Sequence, residues 1–282
     1  MDKQLQASPI IKWAGGKRQL LDTLRNKVPK FNTYYEPFLG GGALYFDLQP
    51  EKAVINDFNV QLINMYEQIR NDYENVCSLL DGYQYYYNTL SNKEEKVKYF
   101  YALRDKFNEC IKNDMENAES AALFIFLNKA GFNGVYRVNK SGMFNIPTAH
   151  KARINLYDRD NICAVSKQLQ TAKITSGDFE TVCQNAEKDD FVFFDPPYYN
   201  TFDTYQAGGF GEKDHIRLSN LFKKLSDRSV KCMLTNSNTD FVKDLYKEFY
   251  IEVVSVKRMV NRDATNRTGE EIIVTNYGGL KK

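Results

Sequence analysis

Residues 191–198 read Phe191-Val192-Phe193-Phe194-Asp195-Pro196-Pro197-Tyr198, or FVFFDPPY. A run of strand-forming residues with no polar break meets a carboxylate and then two prolines, which supply no N–H to a ladder. An unbroken apolar run of this length suits a strand covered on both faces, as in a parallel sheet flanked by helices. The prolines stop the strand and leave Asp195 and Tyr198 at its carboxyl end, where open α/β sheets bind their ligands.

Outward from this strand the pattern alternates. AVIND (53–57), AKITSGDF (172–179), VKCMLTNSN (230–238), YIEVVSVKRM (250–259) and EEIIVTNY (270–277) read as further strands. Helices are expected from about Asp214 to Lys224 and from Asp240 to Glu248. Near the start, Leu20, Leu21, Leu24 and Val28 share one helical face, and Pro29 closes it. Between about Val60 and Leu169 the character changes to helices rich in Tyr, Lys and Glu. They lead into a turn-rich, hairpin-forming run with Asn133-Gly134 and Ser141-Gly142. The expectation is an α/β sheet domain, residues 1–59 and 170–282, interrupted by an insertion at 60–169.

Bulk properties narrow the class. With 38 basic and 36 acidic residues the chain is nearly neutral, so net charge alone points to no nucleic-acid partner. Locally, Lys257, Arg258, Arg262 and Arg267 cluster with only Asp263 against them. The 5 cysteines are scattered, which argues against a disulfide framework or a zinc site, fits a reducing compartment, and gives no metal site to expect. The start has no apolar core and AALFIFL (121–127) is too short to span a bilayer, so a cytoplasmic chain without membrane contact is expected.

EPFLGGG (36–42) is a glycine turn between strand and helix, where a ligand could approach the backbone at Gly40, Gly41 and Gly42. Asp57 ends the next strand, a position from which such an acid accepts hydrogen bonds from ribose hydroxyls. The dinucleotide fingerprint is broken by Tyr45 at its third glycine. The phosphate-loop pattern fails as well, since Arg18 follows Gly16-Lys17. A ribose without a pyrophosphate fits this pattern, as in S-adenosylmethionine; a structural turn with a surface acid fits it equally.

An exocyclic amine on a nucleobase is a poor nucleophile because its lone pair is delocalised into the ring. Two acceptors aimed at its hydrogens localise that pair. Asp195 supplies one and the carbonyl of Pro196 the other, with Pro197 biasing Pro196 to an extended conformation. Tyr198 offers a flat face to a base turned out of its duplex. A carboxylate that serves a ligand rather than the core should be replaceable by alanine without loss of the fold.

With KWAGGK (12–17), EPFLGGG, NDFN (56–59) and DPPY in this order, the sequence resembles the Dam family of DNA adenine-N6 methyltransferases. NGVYRVN (133–139), GMFNIP (142–147), LTNSN (234–238) and IIVTNY (272–277) extend the match over most of the chain. The resemblance implies a doubly wound, Rossmann-like methyltransferase sheet with an inserted, mostly helical target-recognition domain containing a hairpin. It implies S-adenosylmethionine as cofactor, with Trp13, Lys17, Glu36, Phe38, Gly40, Gly42, Asp57, Asp178, Phe179 and Asp195 around it, and Asp195, Pro196, Pro197 and Tyr198 as the catalytic motif. Without the resemblance, Trp13 reads as core packing and Lys17 as a solvated helix residue.

Double-stranded DNA is the implied partner, met by a monomer. Lys12 and Arg137 would read guanines, Arg137 with a two-pronged contact, in a GATC target. Phe132, Asn133 and Val135 would intercalate or touch the flipped site, with Asn139 and Pro147 on the same surface and Lys257, Arg258, Arg262 and Arg267 on phosphates. After Pro147 the chain departs from the family with Thr148, Ala149 and His150. His150 and His215 read as surface or structural groups, since methyl transfer to an aromatic amine needs no strong base. Cytosine-N4 or RNA-base methylation on the same fold, or a non-catalytic DNA-binding relative, are the rival readings. A solitary enzyme and one paired with a companion nuclease both stay open.

Overall fold

The computed structural model describes residues 6–17, 19–200, 209–257 and 268–278. Arg258, Arg262 and Arg267 lie outside the described residues, and of Lys257 only the backbone is described. The run FVFF forms strand β4 (Phe191–Phe194), every residue of which is buried. It lies near the middle of a sheet with β1 (Tyr34–Glu36), β2 (Ala53–Asp57), β3 (Ala172–Ser176), β5 (Lys231–Ser237), β6 (Tyr250–Lys257) and β7 (Thr268–Thr275). The order is β3-β2-β1-β4-β5-β7-β6. Strands β1 to β5 run parallel, while β7 is antiparallel to both β5 and β6. The order reverses direction between β1 and β4, which opens a crevice at their carboxyl ends.

Alternation along the strands divides the core in two. Tyr34, Ile55, Phe191, Phe193, Met233 and Ile273 face α2 (Ala43–Leu48), α3 (Val60–Thr89), α5 (Ala118–Ala130) and α6 (Arg159–Leu169). Tyr35, Val192, Phe194, Cys232, Leu234, Ile272 and Val274 face α7 (Phe179–Cys183), α8 (Glu212–Asp227) and α9 (Asp240–Leu245). The sheet is therefore wound on both sides. The same period of two carries Glu36, Asp57, Asp195 and Thr235 onto the first face at the carboxyl end. Glu271 joins them because β7 runs the other way.

Between β2 and β3 the chain is helical. Asn59 caps α3 by accepting from Leu62 N–H at 3.0 Å, and the helix bends at Asp72, whose φ of −155° and ψ of 64° are not helical. α4 (Lys93–Lys112) starts at Asn92, and α5 opens on a reciprocal cap between Asn117 and Ser120. AALFIFL lies within α5, a helix buried nearly all round; no described helix is long and apolar enough to cross a membrane.

Three local expectations need correction. The helix near the start is only α1 (Leu21–Arg25). Lys27 and Val28 N–H groups bond three residues back, so the end tightens and unwinds where Pro29 disfavours the helical conformation at Val28. α8 runs beyond both expected ends, while α9 stops at Leu245 instead of Glu248. The turn-rich run holds one tight return, an antiparallel bridge of Val138 with Phe144 around Ser141-Gly142. Asn133-Gly134 is instead part of a single 3-10 turn, Phe132–Gly134, with Asn133 at a φ of 59°.

Candidate active site

Asp195 is the centre of the site. Its Oδ1 accepts from the Thr235 hydroxyl at 2.7 Å and pairs with Lys17 Nζ at 2.6 Å. Lys17 is not the solvated helix residue its sequence context suggested. It is buried ahead of α1, donates to the Gly15 carbonyl at 2.6 Å, and stands 4.8 Å from the ring centre of Tyr198. The Tyr198 hydroxyl donates to Glu271 at 2.7 Å. Burial first, then the charges of Asp195 and Glu271, push the Tyr198 phenol well above its ordinary range, so it remains a donor. Pro196 is buried and Pro197 half-buried beside them. The ion pair bears on the expectation that alanine at 195 would spare the fold, because Lys17 is buried and would lose its charged partner.

Glu36 lies on the same face, 2% exposed, and accepts from Tyr34 at 2.7 Å. Burial raises its carboxyl well above the usual range despite that hydrogen bond, which disfavours a second charge beside Asp195. Asp57 ends β2. Its two oxygens accept from the N–H groups of Gly40 at 2.8 Å and Asn59 at 2.9 Å. It thereby clamps the glycine turn to the start of α3. Burial pushes its carboxyl up to about 6, against the pull of those N–H groups.

The glycine turn also serves the packing around it. Gly40 has a φ of 50°, and a β-carbon there would lie 2.6 Å from Cδ1 of Trp13. The indole occupies the space that this β-carbon would need. Gly42, at a φ of 67°, likewise makes room for Phe46. Trp13 stacks on Tyr136 at 5.7 Å and Phe124 at 6.3 Å, which joins the N-terminal segment to the helical region.

Beyond β3, Asp178 caps α7 through the Glu180 N–H and takes both its oxygens to Arg217, at 3.0 and 2.9 Å. Phe179 packs on Phe38 at 5.3 Å, Phe210 meets both rings, and Arg217 covers Phe179 at 4.9 Å. An aromatic cluster with an acceptor at its edge suits a purine, and an acid at the end of β2 suits a ribose. These side chains fit S-adenosylmethionine in chemistry. His215 is buried among Phe210, Tyr199 and Phe241, and burial lowers it to about 4, so it is neutral packing.

Of the residues expected at DNA, Lys12 and the turn carrying Phe132 and Asn133 meet at one buried amide. Asn128 on α5 accepts from Lys12 N–H at 3.0 Å and donates to the carbonyls of Lys12 and Gly134, both at 2.8 Å. Lys12 thus crosses the 3-10 turn that carries Phe132, 55% exposed, and Asn133. The exposed Pro147 accepts from Phe132 N–H at 2.9 Å, and Val135 is half-buried. Arg137 is exposed and donates through Nε to Asn145 Oδ1 at 2.8 Å. Asn139 is engaged within the chain: its Oδ1 closes the tight return by accepting from Ser141 and Met143. Thr235, Glu271, Asn128 and Arg217 went unrecognised as site residues in the sequence. Thr235 and Glu271 stand inside quoted strand motifs, but the pairing that turns them toward Asp195 and Tyr198 is long-range.

Residues 13–260 match the profile of the D12 class N6 adenine-specific DNA methyltransferases. The chain is 38% identical to the type II methyltransferase M1.LlaDCHI of Lactococcus lactis subsp. cremoris, covering 98% of this chain and 97% of that protein. It is 38% identical to the type II methyltransferase M.MjaIII of Methanocaldococcus jannaschii, over 97% of this chain and 100% of the relative. The DNA adenine methylase of Haemophilus influenzae is 27% identical over 99% of this chain and 96% of its own length.

Asp57 gives a test of the buried turn. A carboxyl whose folded value is about 6, against 3.8 when free, binds its proton more tightly in the folded chain. Its contribution to stability is present below the free value and lost as pH rises through the folded one. Urea unfolding of the parent should therefore lose ground to Asp57→Asn between about pH 4 and pH 6, and a constant difference across that window would contradict the assignment.

Proposed function

Because this chain belongs to the D12 class of N6 adenine-specific DNA methyltransferases, we propose that its switch-point crevice takes S-adenosylmethionine and an adenine flipped from double-stranded DNA, in the sequence GATC. The observation that carries the reading is Asp195, fixed at the carboxyl end of β4 by Lys17 and Thr235. Both bonds fall on Oδ1; among the described residues Oδ2 is left for a ligand.

When bound, S-adenosylmethionine supplies a methyl carbon activated by its sulfonium. Asp57 would accept from its ribose, while Phe38 and Phe179 would line one side of its adenine with Asp178 at the edge. Trp13, Gly40 and Gly42 act indirectly, by shaping the turn that Asp57 clamps. Asp195 and the Pro196 carbonyl would accept hydrogen bonds from the two hydrogens of the target amine and so direct its lone pair at the methyl carbon, one proton leaving the nitrogen as the methyl group is gained. Tyr198 would stack on the extruded ring. The segment 60–169 is the recognition unit. Phe132, Asn133, Val135 and Pro147 wedge into or line the emptied site, while Lys12 and Arg137 read guanines. Asn139 supports the return on which Arg137 stands. Lys257, Arg258, Arg262 and Arg267 contact phosphates. Relatives named as type II methyltransferases favour a place beside a companion nuclease.

Asp195→Asn keeps an acceptor for Thr235 and Lys17 but puts an NH2 donor where Oδ2 faced the amine. Methyl transfer by this variant should fall by roughly 10²–10³-fold, the cost of a lost preorganised polar group, with DNA affinity retained. Turnover at the parent rate would sink the mechanism.

Specificity is tested on a pool of random duplexes with the methylated positions read out. The parent should mark GATC. Arg137→Ala should relax the choice at one guanine, since a two-pronged contact discriminates by about 1–3 kcal/mol. Uniform loss at all sites, with the salt slope reduced by about one, would make Arg137 a phosphate contact. A parent motif lacking GATC would overturn the proposed target.

A further inference from the structure

Glu271 stands in the antiparallel half of the sheet, opposite Ser237 of β5 and Val254 of β6. Running antiparallel brings this residue, near the start of β7, to the end of the sheet where β4 and β5 finish. On that face it accepts from the Tyr198 hydroxyl at 2.7 Å. Two neighbouring bonds hold the same stretch of chain: Tyr199 N–H donates to Asn236 at 3.2 Å, and Ser237 donates to the Tyr199 carbonyl at 3.1 Å. The hydrogen bonds of Asn236 and Ser237 fix the backbone beside Tyr198 and do not involve its ring. Glu271 bonds the far end of that ring, and Lys17 faces it at 4.8 Å.

We propose that Glu271 is a positioning residue for methyl transfer: its carboxylate sets the plane of the Tyr198 ring and so the seat of the target adenine. The inference rests on the proposed stacking of that base on Tyr198. A phenol kept protonated is a constant donor, and a carboxylate is its strongest acceptor, so the bond is charge-assisted and directional. Glu271 needs no contact with substrate, donor or the reacting atoms. Its effect passes through one hydroxyl, which makes it separable from a general contribution to the sheet.

The experiment measures single-turnover methyl transfer and donor affinity for the parent, Glu271→Ala, Glu271→Gln, Tyr198→Phe and the two double variants. Glu271→Ala and Tyr198→Phe should each slow transfer by about tenfold, as expected for a hydrogen bond to a charged acceptor. Donor affinity should stay within about twofold, because the donor lies on other residues. The Glu271→Ala, Tyr198→Phe pair should be no slower than the worse single variant, since both remove the same bond. Glu271→Gln, which still accepts from the hydroxyl, should restore most of the rate. Multiplied losses in the double variant, or a Glu271→Ala rate equal to the parent's, would overturn the proposal. Should Glu271→Ala fail to fold, Glu271→Gln decides: added to Tyr198→Phe it should change nothing, and a further loss would show that Glu271 acts by another route. A parent without adenine methylation would fail the underlying reading instead, which keeps the two failures apart.

Discussion

Lys17 and Asp195 meet at 2.6 Å inside the protein, and each needs the other. A lone ammonium or carboxylate at that depth would have to be neutralised or rehydrated. The pair ties two distant parts of the chain: the N-terminal segment that holds Lys12 and Trp13, and the strand end that holds Asp195 and Tyr198. It also assigns the lone pairs of one carboxylate. Lys17 and Thr235 take Oδ1, so the rotation of the group is fixed before any ligand arrives. In a site where charge must be placed without reorganisation, such fixation is the useful contribution of the fold.

From that pair the organisation spreads in two directions. Toward β2, Asp57 holds the glycine turn, and Gly40 lets the Trp13 indole lie against the backbone. Toward α5, Asn128 satisfies both backbone groups of Lys12 and one of Gly134 with a single buried amide. The surface proposed to read DNA and the crevice proposed to bind the donor therefore share residues 12–17 as a common wall. A displacement at Phe132–Gly134 would be felt at Lys12 and, five residues on, at Lys17. Register between the base that is read and the base that is modified follows from this shared segment.

Much of this was legible in the sequence for a simple reason. Buried parallel strands are near-continuous apolar runs, and FVFF, AVIND and VKCMLTN declare themselves by composition. Their carboxyl ends could then be named as the place for Asp57 and Asp195. Interactions set by tertiary pairing could not be read in this way. Lys17 looked solvated because nothing in GGKRQ records a partner at Asp195, far along the chain. The glycines of EPFLGGG read as room for a ligand, and the sequence held no sign that Gly40 and Gly42 also make room for Trp13 and Phe46. Glu271 was hidden by direction: in a parallel strand its position would point it to the opposite end of the sheet. The short α1 shows local chemistry overriding periodicity, with Pro29 limiting a helix whose apolar face alone would have run to Val28.

The central claim is that this arrangement of Lys17, Asp195 and Tyr198 directs a methyl group to the exocyclic amine of adenine in duplex DNA. The most direct measurement supplies the purified protein with S-adenosylmethionine bearing a deuterated methyl group and a duplex of mixed sequence. The DNA is then digested and its nucleosides are weighed by mass spectrometry. The account predicts the label in N6-methyldeoxyadenosine alone, and label in N4-methyldeoxycytidine, or no label in the DNA, would contradict it.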